Sequence, residues 1–98
     1  MVCYKITITR SAQTALKHLP EDIRKAISIK LDAMTKEPMP QGTKKLHGLA
    51  FAVYRIKVKK NYRIIYTIGF KNKVVDVLNI GHRSEIYRSI IRETANCH

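Results

Sequence analysis

The chain has 98 residues, 45% of them hydrophobic, and a formal net charge of +12 at pH 7. That apolar content suits one modest core in a single domain over residues 1–98 and excludes a disordered polymer. The charge calls for an acidic partner, and the absence of an apolar run near the ~20 residues of a membrane span excludes a membrane-embedded protein.

The N-terminus, MVCYKITITR, lacks the apolar core of a signal peptide. Cys3 and Cys97 stand near opposite ends without metal-ligand spacing, and are read as reduced thiols of a cytoplasmic protein. His18, His47, His82 and His98 are scattered too, so neither a metal site nor a cofactor is expected.

Residues 2–9 (VCYKITIT) alternate and are rich in β-branched side chains, which predicts a first strand. Ser11 is the expected N-cap of a two-turn helix with Ala12, Ala15, Leu16 and Leu19 on its apolar side. Pro20 suits the first turn of a second helix, with Glu21 and Asp22 near its positive end. That helix buries Ile23, Ala26, Ile27, Leu31 and Met34, leaves Ile29 off the stripe, and stops near Lys36 because Pro38 disfavours helical geometry at Glu37.

Residues 38–48 read as a loop carrying the Lys44–Lys45 pair. A three-stranded meander follows at about residues 52–59, 62–70 and 74–80. The last of these is apolar on both faces apart from Asp76 and Asn79, as an interior strand should be. Gly81 is expected to end it, and Ser84 to cap a short C-terminal helix carrying Ile86, Ile90 and Ile91. The order β-α-α-β-β-β-α predicts an α+β domain: a mainly antiparallel four-stranded sheet with two N-terminal helices packed on one side.

The meander carries the chemistry. Between Pro38 and Val75 there is no Asp or Glu, but nine Lys and Arg, with Tyr54, Tyr62 and Tyr66 interleaved and Tyr87 further on. Such a surface suits a polyanion that also carries flat bases. Alternation puts Tyr54, Ile56 and Val58 on one face and Arg55, Lys57 and Lys59 on the other. A three-residue loop at Lys59, Lys60 and Asn61 keeps the apolar faces aligned, pairing Val58 with Tyr62 and Ile56 with Ile64. Lys57 then faces Arg63, a pairing that costs stability unless an anion visits. A merely solvated, charge-decorated sheet face is the plain alternative.

Metal-dependent hydrolysis needs several carboxylates or histidines converging on the ion, and here the seven acids and four histidines are dispersed along the chain. RNA offers another route, because its 2′-hydroxyl can attack the adjacent phosphate. Such a reaction needs a proton acceptor, cations to hold phosphorane charge and a donor for the leaving oxygen. Lys57 suits either of the first two roles, since crowding among cations favours the neutral lysine that a general base requires. Arg63 suits the clamp, with Arg55 on an adjoining phosphate. His82 is a natural proton carrier or a structural residue of the turn; Tyr87 stacks on a base or packs the terminal helix.

With KKLHGL (44–49), YRIKVKKNYRIIY (54–66) and IGHRSEIY (80–87) in this order and spacing, the chain resembles the RelE-type mRNA interferases of the RelE/ParE toxin superfamily. The resemblance covers nearly the whole chain. It implies a small α+β fold similar to microbial ribonucleases and a toxin that enters the ribosomal A site and cuts mRNA without a metal ion. By position it implies catalytic roles for Lys57, Arg63, Arg83 and Tyr87: basic residue, phosphate clamp, proton donor or transition-state stabiliser, and base-stacking ring. Arg55 stands where relatives carry a lysine and His47 where some carry an arginine; these join Lys44, Lys45, Lys59 and His82 as substrate-binding candidates. The implied partners are mRNA, the ribosome and a cognate acidic antitoxin, with operator DNA bound only through the antitoxin complex and no membrane. The rival function within the superfamily is a ParE-like poison that inhibits DNA gyrase without cutting nucleic acid, and a weaker third is a basic RNA-binding module without catalysis.

Overall fold

The computed structural model describes residues 3–46 and 52–86. Its order is β1 (Lys5–Ile8), α1 (Arg10–Lys17), α2 (Glu21–Met34), β2 (Lys44–Leu46), β3 (Val53–Val58), β4 (Tyr62–Gly69) and β5 (Val74–His82), with helical backbone again at residues 83–86. The strands form one five-stranded sheet in the order β1-β5-β4-β3-β2. β1 runs parallel to β5 and every other neighbouring pair is antiparallel. The expected α+β architecture is present, with one more strand than predicted. The extra strand is β2, formed where a loop was expected, because Lys44–Leu46 pairs with β3.

Several element ends fall elsewhere than the sequence reading put them. Thr9, not Ser11, caps α1: it leaves β1 with extended backbone, and its hydroxyl accepts the Ala12 N–H at 3.2 Å. Pro20 sits one residue before α2 as its N-cap, where its carbonyl accepts the Arg24 N–H at 2.9 Å. α2 buries Ile23, Ile27, Leu31 and Met34 as expected, but ends at Met34, two residues early. There the Thr35 hydroxyl turns back to the Asp32 carbonyl, and the Thr35 carbonyl accepts the Tyr4 N–H.

Gly81 does not end β5, which runs on to His82. Neither is Ser84 a cap ahead of the last helix. It lies within the helical turn, and its N–H donates to His82 Nδ1 at 3.2 Å. Ile90, Ile91 and Cys97 lie outside the described residues, as do His47 and Tyr87.

The main core lies between the helices and one sheet face, where Ala12, Ile23, Ile27, Leu31 and Met34 meet Ile56, Ile64, Tyr66, Val75, Val77 and Ile80. A residue-counting problem is solved there by a β-bulge. Val75 and Val77 share a face by alternation, and Ile80 by count should point away from it. Ile65 pairs with Asn79 and Tyr66 with Val77, so Leu78 is an extra residue and Ile80 returns to the helix side. The Asn79 side-chain oxygen accepts the Ile80 N–H at 2.9 Å within this irregular stretch. Leu78 instead joins a smaller cluster on the other face with Leu46, Val53, Ile65 and Ile86.

Candidate functional site

The β3–β4 hairpin has the expected register: Val58 pairs with Tyr62, Ile56 with Ile64, and Lys57 lies opposite Arg63. β2 extends the pattern by pairing Lys44 with Arg55 and Lys45 with Tyr54. Strand alternation therefore separates the adjacent lysines. Lys44 shares the sheet face of Arg55, Lys57 and Arg63, while Lys45 shares the opposite one.

These four cations line a concavity of about 500 Å³ together with Gln41, Gly42 and Ile56. Among the described residues, no carboxylate lines it. Among the described residues, no three of His, Cys, Asp and Glu gather into a metal-binding group.

Arg63 is the anchor. It is only 8% exposed, and its Nη1 donates to the Lys60 carbonyl at 2.9 Å and the Tyr62 carbonyl at 3.0 Å. Its Nε–H is buried with no acceptor among the described residues. A buried charged donor without an acceptor costs roughly 1–3 kcal/mol or more. Lys57, directly across, is exposed. The pair thus combines a fixed guanidinium with an exposed ammonium on a flexible stem.

One wall of the concavity is the 38–43 loop, which sequence reading did not credit with a role. Tyr66, rooted in the core, donates from its hydroxyl to the Pro38 carbonyl at 3.0 Å and meets the Thr43 hydroxyl at 3.1 Å. Burial pushes the Tyr66 phenol above its ordinary pKa, the Thr43 bond opposing and the neighbouring Tyr54 adding to the rise, so it remains a protonated donor. The Thr43 hydroxyl and N–H both reach Pro40 O, and Gly42 turns the chain with a φ of 97°. Gln41 and Gly42 thereby reach the cations. Only the turn-forming PQG hinted at this, and nothing in the pattern said which way the loop folds.

The remaining candidates divide. Arg83 is exposed and does not line the concavity, but its backbone N–H donates to the Asn61 carbonyl at 2.8 Å, which ties it to the tip of the same hairpin. Lys59 stands at that tip, outside the lining. His82 pairs with Tyr62, on the face opposite Arg63, with its ring edge-on to Tyr62 and Nδ1 2.8 Å from the Ser84 hydroxyl. Tyr54, Tyr62 and Tyr66, neighbours of the charges along the chain, lie on the apolar, helix-packed face as alternation predicts, as part of the core or against it. Their strand positions alternate with those of the cations, so they cannot share a surface with them.

The described residues thus form a small α+β domain with a cation-lined concavity that no described carboxylate lines. Residues 6–87 match the family described as ParE toxin of type II toxin–antitoxin system, parDE, and the chain belongs to that family, within the RelE/ParE superfamily. Its fold is similar to a chain of the archaeal RelE–RelB complex of Pyrococcus horikoshii, at 28% identity over 84% of this chain and 97% of that one, with a TM-score of 0.70. It is also similar to a chain of the RelBE2 toxin–antitoxin complex of Mycobacterium tuberculosis, at 25% identity over 84% of this chain and 100% of that one, TM-score 0.72. The isolated E. coli RelE toxin matches at 26% identity over 92% of this chain and 97% of that one, TM-score 0.69. No curated protein matches the chain. The chain is thus a toxin of a type II toxin–antitoxin system.

Proposed function

We propose that this toxin is a metal-independent endoribonuclease that cuts mRNA in the ribosomal A site and so halts translation. The observation that carries the reading is the concavity where Lys44, Arg55, Lys57 and Arg63 converge, with no carboxylate among its described lining residues. In the proposed reaction the ribose 2′-oxygen attacks the adjacent phosphorus as the bond to the 5′-oxygen breaks. The products are a 2′,3′-cyclic phosphate and a free 5′-hydroxyl. Lys57 takes the 2′-proton or holds phosphorane charge, Arg63 grips the non-bridging oxygens, and Arg55 and Lys44 hold neighbouring phosphates. Arg83, tied to the hairpin tip, neutralises charge building on the leaving 5′-oxygen, which takes a proton from water to become the free 5′-hydroxyl. Tyr87 stacks on the base, the role that the resemblance assigns it.

Few side chains here are suited to proton transfer, so the ribosome is assigned a share in positioning the RNA. The restraining partner is a cognate acidic antitoxin, a reading supported by the RelE–RelB complexes among the similar structures.

A second reading, a gyrase poison acting by binding alone, is favoured by the ParE name of the matching family. Induced expression with mapping of mRNA 5′ ends separates the two. The nuclease reading expects cuts within translated codons. Intact mRNA with accumulating DNA breaks would instead establish the gyrase reading.

A further inference from the structure

The tip of the β3–β4 hairpin is built in an unfavourable way. Lys59 and Lys60 both have left-handed backbone, with φ of 51° and 70°. Side chains disfavour that region, and glycine and asparagine are the residues that enter it readily. Strain of this kind persists where surrounding structure fixes it, and it gathers at functional sites.

Here each carbonyl of the tip has its own donor. Lys59 O accepts the Asn61 N–H at 2.7 Å, Lys60 O accepts Arg63 Nη1 at 2.9 Å, and Asn61 O accepts the Arg83 N–H at 2.8 Å. With Tyr62 O also on Nη1 at 3.0 Å, one end of the Arg63 guanidinium is held by two main-chain oxygens. The guanidinium is planar and rigid, so holding one nitrogen sets the direction of the other N–H groups. Changing φ at Lys60 would swing the following peptide and carry Lys60 O away from Nη1.

We propose that the hairpin tip is a backbone socket that aims Arg63, and that Lys60 is a positioning residue acting through its carbonyl and left-handed φ rather than through its ammonium. The same turn anchors the start of the 83–86 helical segment, so both arginines take their places from three residues. This deepens the nuclease reading and rests on it only for the activity measurement.

The test compares Lys60→Gly, Lys60→Asn and Lys60→Val in the full chain by two measurements. Side-chain ¹⁵N NMR reports rotation about the Arg63 Cζ–Nε bond, and cleavage of ribosome-bound mRNA reports activity. Glycine and asparagine accept the left-handed region without the charge, so both variants should keep slow rotation and cleave within about threefold of the parent. Valine, branched at Cβ, should free the guanidinium and slow cleavage by roughly tenfold to a hundredfold, with RNA affinity nearly unchanged. Equal losses in all three variants would make the ammonium the active part and overturn the proposal. So would free rotation of Arg63 in the parent protein, a result that needs no variant to fold and no cleavage to occur. Slow rotation in a parent that cuts no mRNA would leave the socket standing and sink the nuclease reading instead.

Discussion

Arg63 holds its place by burial and main-chain bonds, whereas Lys57 opposite it is exposed. The two positions should therefore respond differently to substitution. Lys57→Met removes an exposed cation and leaves the ladder intact, so the thermal midpoint should hold while cleavage falls roughly a hundredfold or more. Full activity in that variant would remove Lys57 from the reaction. Arg63→Lys keeps the charge but loses the planar fork that two carbonyls grip. Cleavage should drop by about tenfold to a hundredfold with RNA affinity retained, as measured by single-turnover kinetics and equilibrium binding. His82 invites a structural reading at this scale, because its Nδ1 accepts the Ser84 N–H and its ring meets Tyr62 on the helix side.

Elements set the site through three devices: the odd-length hairpin, the bulge at Leu78 and the short strand β2. The hairpin puts Lys57 across from Arg63, and β2 adds Lys44 beside Arg55. The bulge keeps Ile80 in the core and leaves Gly81, without a side chain, opposite Arg63. The 38–43 loop depends on Tyr66, whose hydroxyl reaches Pro38 O and Thr43. Tyr66→Phe should destabilise the fold by about 1–2 kcal/mol, read as a lower urea midpoint, because the Pro38 carbonyl loses its donor. It should also weaken RNA binding, since that loop carries Gln41 and Gly42 to the rim. An unchanged midpoint would show that the loop holds its shape without Tyr66.

For the whole molecule, a net charge of +12 makes association with any polyanion a matter of ionic strength. Single-stranded RNA neutralised by the four cations of the concavity should release counterions with a slope of about −3 in log K against log salt. A titration from low to physiological salt measures it. A slope near zero would mean that binding is not phosphate-driven. Among the described residues no helix is long and apolar enough to cross a membrane.

Period and composition made much of this protein legible before any coordinates. The α2 stripe, the alternation in β3 and β4, the three-residue hairpin loop and the Lys57–Arg63 pairing all follow from local rules: one face apolar, one face charged, and a register that keeps them apart. Other features depended on contacts between distant segments. Lys44 and Lys45 are neighbours in the chain, yet only pairing with β3 sends one toward the cations and the other away. A slip of one residue in β5 could not be read from VVDVLNI, because an interior strand is apolar on both faces and its alternation carries no phase. The bonds that hold Arg63 are local to the hairpin, yet they could not be read either, since main-chain oxygens have no signature in residue type. Side-chain chemistry chose the ingredients of the site, and backbone geometry decided which of them meet.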